Sequence, residues 1–386
     1  MTGFLETLRS RALVVGVVGT LMTLAGAAVD ADRAFQSWLF GWVFWIGVAL
    51  GCLAIVMIHH VTGGAWGIVI RRLLEAGMRT IPWMALLFLP IVSGLPRIYE
   101  WARPEVVAAD PLLQHKAPYL NSGFFTMRAA LYFLAWGGLA WILSRWSHLQ
   151  DKTGDPRIVR RFQMVAAPGL LLFVLTMTFA SVDWVMSLEP HWFSTIYGVL
   201  LMAGQAVSAI SFATIMVILL AEAKPLSTVV TPAHLHDLGK LLFAFVMVWA
   251  YFALSQFLII WGGNLPEEVP WFLRRLQGGW EWVGLSIILL HFAVPFILLL
   301  MRQVKRDPAR LFRVALLILA MRVVDLYWMM APAFGDHGGG PHWLDLTALA
   351  GVGGLWLHLF AREAAKVPLL PMKDPGLQEA LGHGHA

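Results

Sequence analysis

Ten stretches of roughly twenty apolar residues alternate with short polar segments along this 386-residue chain. They cover residues 12–29, 38–61, 81–98, 123–145, 162–187, 195–221, 240–263, 280–301, 311–332 and 343–361, each long enough to cross the hydrocarbon core of a bilayer as a helix. The pattern predicts an all-α integral membrane protein of about ten spans within one polytopic domain, residues 1–386. After the second stretch the apolar character runs on to Ile70 before meeting Arg71 and Arg72. That leaves room for a long tilted helix or for a helix followed by an interfacial segment. The connection from Tyr99 to Ser122 is punctuated by Pro104, Pro111 and Pro118 and reads as an ordered cap without a core of its own.

Two of the stretches end alike. Asp183 is followed by Trp184, Met186 and Pro190; Asp325 is followed by Trp328, Met329 and Pro332. The two acids are four spans apart, in segments of the same direction. A carboxylate at such a position is expensive without a partner, so it marks a functional-site candidate. The repetition suggests two related four-helix units, spans two to five (residues 38–187) and six to nine (195–332), with flanking helices. Chance is the competing reading, because an acid followed by proline is a common helix exit.

Composition agrees with the pattern: 59% of residues are hydrophobic and 13% charged, with a mean hydropathy of +0.71, whereas about a quarter of a soluble domain is charged. The net charge of +5 is unevenly placed. Most of the 28 Lys and Arg fall before span one, after the even-numbered spans or in the tail, while Arg33, Arg97, Arg103, Lys116, Arg274 and Arg275 lie on the opposite side. Both termini are therefore expected in the cytoplasm, and the charge reports topology and anionic lipid rather than nucleic acid. Arg9 and Arg11 precede the first span as a start-transfer anchor. The single cysteine, Cys52, excludes an internal disulfide, a covalently attached c-type haem and an iron-sulfur cluster. In the second stretch, Gly47 and Gly51, with Gly63 and Gly67 beyond, have the Gly-x-x-x-Gly spacing of close helix packing. Residues 362–386 read as a disordered cytoplasmic tail, within which Gly382-His383-Gly384-His385 offers two imidazoles to a metal or simply frays.

The titratable residues within or beside the spans form a short list. His59 and His60 come late in span two; as neutral imidazoles they suit a proton relay or a bond to a quinone carbonyl, or else they lie at the headgroups. His291 is at mid-span in the eighth stretch, and two facing histidine pairs for b-type haem are not evident. Arg322 precedes Asp325 by three residues and shares its helix face, as a packing pair or as part of a proton path. Asp183 has no basic residue within four positions, so its partner must come from another helix; that makes it the stronger candidate for a titrating group. The turn Ser187-Leu-Glu189-Pro-His191-Trp-Phe-Ser-Thr-Ile-Tyr197-Gly holds a carboxylate and an imidazole and no Lys or Arg. It suits a proton exit or a contact with a partner, with Glu189 capping the next helix as the alternative. Ser93, Gln205, Gln256 and Tyr327 extend hydrogen-bonded paths or bond neighbouring backbone.

The run Ser181-Val-Asp183-Trp-Val-Met-Ser-Leu-Glu189-Pro-His191-Trp-Phe-Ser-Thr-Ile-Tyr197-Gly resembles the NrfD/PsrC-like membrane subunits of alternative complex III, specifically the smaller, ActF type, and the similarity extends over nearly the whole chain. The resemblance implies ten helices with two four-helix bundles. It also implies a bacterial inner-membrane complex that oxidises menaquinol and passes electrons through an iron-sulfur subunit and multihaem cytochrome c subunits to cytochrome c or a similar acceptor. A second NrfD-like membrane subunit and lipids are the other implied partners, and this chain would carry no redox centre. Asp183 and His191 match the motif. His60, Glu189, His291, Arg322 and Asp325 join them as proton-pathway candidates, and His60, Asp183 and His191 are the candidates for quinone binding. The larger paralogue, to which the family credits the quinol site, has a Pro-Gly-Trp-His type of turn where this chain has Glu189-Pro190-His191-Trp192. The expected role is thus scaffolding and proton conduction. Quinol binding by this chain and secondary transport are the alternatives; paired four-helix units with buried charges also occur in transporters.

Overall fold

The computed structural model describes residues 2–334 and 340–383, the side chains of Thr2, Glu379, Ala380 and His383 apart. Among these residues there is no strand, and ten helices are long and apolar enough to cross a membrane. The chain is an all-α, multi-pass membrane protein. Nine crossings are built on α1 (Thr2–Ala27), α2 (Ala31–Thr62), α4 (Ser122–Thr153), α5 (Arg157–Trp184), α6 (Tyr197–Leu220), α7 (Pro232–Gly263), α8 (Trp280–Leu300), α9 (Pro308–Met330) and α10 (Trp343–Ala364). The third crossing, Ala65–Ser93, contains α3 (Ile68–Met78).

Helices α2 and α6 are apolar all round and lie almost wholly inside the bundle, as such helices must. They touch closely, because a Cβ on Gly51 would sit 2.2 Å from the Gln205 carbonyl oxygen. Gly63 and Gly67 do not extend that packing: Gly63 ends α2 with φ +67°, and Gly67 faces the His59 ring. Around this pair, α4 and α5 pack on the first half and α7, α8 and α9 on the second. Helices α1 and α10 run antiparallel, with Thr23 bonded to Thr347 and His358 to the Arg9 carbonyl, so the segments nearest the two chain ends lie on one side. That side carries the Lys- and Arg-rich connections and is called the basic side below.

The third crossing departs from the sequence reading, which starts it at residue 81. It begins at Ala65, directly after the Gly63-Gly64 turn. Hydropathy misplaces it because α3 contains Arg71, Arg72 and Glu75, all buried at the basic end. Glu75 accepts from Arg71 at 2.9 Å, Arg72 at 2.8 Å and Ser147 at 2.7 Å, while Asp374 and Asp151 pair with the two arginines. Charges satisfied in this way can enter a span. Beyond α3 the crossing breaks into short turns, Ile81–Leu86, Leu89–Ser93 and Leu95–Ile98, each with proline in its first two positions. Indole N–H groups of α2 donate to carbonyls along the broken stretch, Trp38 to Leu87 at 3.0 Å and Trp42 to Met84 at 2.9 Å.

The tail is also corrected. Val367, Leu369 and Leu370 are buried, Asp374 pairs with Arg71, and Gly376–His383 forms a helix against the start of the third crossing. These contacts order a segment read from the sequence as a disordered tail. The end of the Gly382-His383-Gly384-His385 tract lies outside the described residues.

Candidate functional site

The buried acids of the repeat both lie toward the side opposite the basic connections, but they are held differently. Asp183, in the last turn of α5, is fully buried. Its partner is Arg128 from α4: Nη2 donates to Oδ1 at 2.8 Å and Nε to Oδ2 at 2.9 Å, a two-pronged pair that Tyr132 completes by donating its hydroxyl to Oδ2 at 2.8 Å. The guanidinium also donates to the Tyr119 carbonyl at 2.9 Å and lies 3.8 Å from the Tyr119 ring centre. Next to it, Trp184 packs edge-on against Trp42, with ring centres 4.9 Å apart, and its carbonyl accepts from Tyr99 at 2.9 Å.

Asp325 is supported from fewer directions. Arg322, one turn earlier on α9, and the Trp249 indole of α7, at 3.1 Å, both donate to its Oδ2. Gly204 on α6 makes room for Arg322, since a Cβ there would fall 2.3 Å from the guanidinium carbon. Trp249 meets the His291 ring edge-on at 4.2 Å. His291 is fully buried, and neither ring nitrogen completes a hydrogen bond, although the Ile318 backbone lies nearby. It sits in a wider, π-type turn, Ile287–Ala293, that interrupts α8. Such turns recur at functional sites.

Between the two acids' helices lies a cavity of about 20 Å³, lined among others by Ser181 and Trp184 of α5, Gln205 and Ser208 of α6, and Arg322. That is room for one water, and the polar groups to hold it are present, including the Gln205 Oε1, buried without a partner. Gln256 is likewise buried with an unpartnered carbonyl oxygen, whereas Ser93 donates to its own helix at Pro90.

The turn after Asp183 is clamped from both sides. Glu189 accepts from Arg275 at 2.8 Å instead of capping the next helix. Arg275 is buried against the Trp271 ring at 3.7 Å and donates to the carbonyls closing α9, Trp328 at 3.0 Å and Met329 at 2.7 Å. Trp192 stacks on Trp271 and donates to the Glu268 carbonyl. On the other flank, His191 meets Asp110 at 2.6 Å and Lys116 donates to the Pro190 carbonyl at 2.6 Å, which docks the 99–122 connection as an ordered cap. His191 itself is exposed. A third acid escaped the repeat: Asp345, near the start of α10, accepts from Arg33 and Ser37, both at 2.6 Å, and from Tyr327 at 3.2 Å.

His59 and His60 occupy the last turn of α2 at the basic end, His59 beside the Gly64 carbonyl and His60 stacked on Phe162. The three quinone-binding candidates are thus in separate places: His60 at the basic end, Asp183 buried toward the opposite side, His191 outside. Of the proton-pathway candidates, Arg322, Asp325 and His291 come together through Trp249, and Glu189 joins the outer clamp. Sequence reasoning missed Arg128, Arg275 and the Arg71–Arg72–Glu75 group. An arginine within an apolar stretch was the available signal for the first. No family model matches the chain, and no curated protein matches its sequence.

Proposed function

We propose that this chain is a membrane subunit, without a redox centre of its own, of a quinol:cytochrome c oxidoreductase of the alternative complex III type. It scaffolds an iron-sulfur subunit, multihaem cytochrome c subunits and a second NrfD-like subunit in a bacterial inner membrane, with both termini cytoplasmic, and it conducts protons driven by menaquinol oxidation in a neighbouring subunit. The observation that supports the reading is the polar line across the second half: His291, Trp249, Asp325, Arg322 and the water-sized cavity with Gln205. Within it the roles divide. Asp183, with both oxygens engaged by Arg128 and Tyr132, is a fixed charge that anchors α4 to α5. Asp325 and His291 are the exchanging groups, the reverse of the ranking drawn from sequence. Water in the cavity would link Arg322 to Ser181 and Ser208, toward the clamped turn.

Purification through a C-terminal tag in mild detergent, with a visible spectrum, tests the assembly: haem c absorption and an iron-sulfur partner are expected. A colourless, solitary protein would favour transport instead. In the purified complex, Asp325→Asn is expected to lower the protons released per quinol while assembly persists. An unchanged proton yield would remove Asp325 from the path.

A further inference from the structure

The largest cavity among those described lies far from these groups. It is a groove of about 620 Å³ at the basic end, between the start of the broken third crossing, α4 and the end of α10. Its walls are apolar: Pro82, Ala140 and the exposed Trp141 contribute them, and Gly137 leaves its side open because a Cβ there would meet nothing within 4 Å. Its rim is basic. The cations Arg79, Arg145 and Lys152 converge there beside the imidazole of His148, and all but Arg79 lie along one flank of α4.

Two charges of this rim, Arg145 and Lys152, are uncommitted to any carboxylate among the described residues. Both are exposed. Arg79 gives its Nε to Ser144 at 3.0 Å and is paired with Glu75 through Nη2 at 3.6 Å, a contact too long to be a hydrogen bond, so it adds donors to the rim more than free charge. The one carboxylate on the lining, Glu363, is neutralised by Lys366 at 2.6 Å and Arg362 at 3.1 Å. A groove with an apolar floor inside the span and unspent cations at its mouth is complementary to an amphiphile with an anionic head.

We infer that this groove is a binding site for an anionic phospholipid of the leaflet on the basic side. The phosphate sits between Arg79, Arg145 and Lys152, with His148 as a further donor, and the first acyl carbons lie along Trp141 and Pro82. Free phosphate shares the head's chemistry but gains nothing from the apolar floor. Basic pockets between transmembrane helices on the positive side are where such headgroups bind. The site is independent of the proton groups, and its occupant fastens the third crossing to α4 and α10 from outside.

The test uses the full-length chain in neutral detergent, with native mass spectrometry against added phosphatidylglycerol or phosphatidylcholine. Wild type is expected to retain phosphatidylglycerol in preference. Arg145→Ala/Lys152→Ala, which breaks no ion pair among the described residues and removes only the Arg145 contact with the Trp141 ring at 5.3 Å, should weaken that retention about tenfold or more. Gly137→Leu keeps every charge, suits a helix better than glycine and fills the groove, so it should weaken retention comparably. Equal retention of phosphatidylglycerol by wild type and both variants would overturn the site, as would equal binding of the two lipids. Displacement of the lipid by millimolar inorganic phosphate would make it an ion site and overturn the lipid assignment.

Discussion

Asp183 and Asp325 each stand seven residues before a proline near the end of a crossing, yet one is a lock and the other a loose coupling. The partner of Asp183 comes from a different helix and engages both oxygens, so the pair fixes α4 against α5. The partner of Asp325 lies one turn away on the same helix, so that pair neutralises α9 internally and holds its neighbour only through Trp249. A charge satisfied across helices buys geometry, whereas one satisfied within a helix leaves the carboxylate free to change its bonds without separating the bundle. The lesson is that the source of the counter-charge, rather than burial, distinguishes an acid that joins two helices from one paired within its own.

The sharpest way to break this contrast is Arg128→Ala, which strands Asp183 with Tyr132 alone. Removing one member of a buried pair costs about 3–5 kcal/mol, and replacing both by apolar residues recovers most of it. Arg128→Ala should therefore give the largest fall in thermal stability in detergent, with Arg128→Met/Asp183→Leu close to wild type. A single variant as stable as wild type would end the description of Asp183 as a lock. A smaller effect is expected from Gly204→Ala, whose new methyl displaces Arg322 from Asp325 at about 1–3 kcal/mol. Tryptophan-fluorescence melting measures it, and a neutral result would mean that the second pair tolerates rearrangement even more freely than proposed.

The smallest effect concerns the clamp outside the membrane. Desolvation, the largest single influence, raises the Asp110 carboxyl, but hydrogen bonds from the Leu113 and Leu112 amides and from His191 together outweigh it and hold the group below its ordinary value. A lowered value in the folded state means that the contact stabilises the docked cap above the ordinary carboxylate range, about pH 4, and is lost as pH falls through the folded value. Proteolysis of the 99–122 connection should accelerate on acidification, and Asp110→Asn should abolish that dependence on pH. Identical acid sensitivity in the variant would assign it to another group.

Hydropathy made the ten crossings legible because a span needs only length and apolarity, both local properties. It failed at the third, where the charges of Arg71, Arg72 and Glu75 are matched only once α4 brings Asp151 and the tail brings Asp374. The same division runs through the site. Arg322 and Asp325 are three positions apart, so their pairing could be read from helical spacing. The partners of Asp183 and Glu189, 55 and 86 residues away, could not. Without a known arrangement of helices, nothing in the local pattern selects Arg128 or Arg275 from the other cations.

The range of those separations also sets an order of events during synthesis. The Arg128–Asp183 pair can close once α5 has emerged, but Glu189 stays without its buried cation until the ribosome has passed Arg275. Arg71, already inserted with the third crossing, gains Asp374 only after another 303 residues. The nascent chain therefore holds Glu189 unmatched while 86 further residues are made, whereas Arg71 has Glu75 at once and waits only for its second carboxylate.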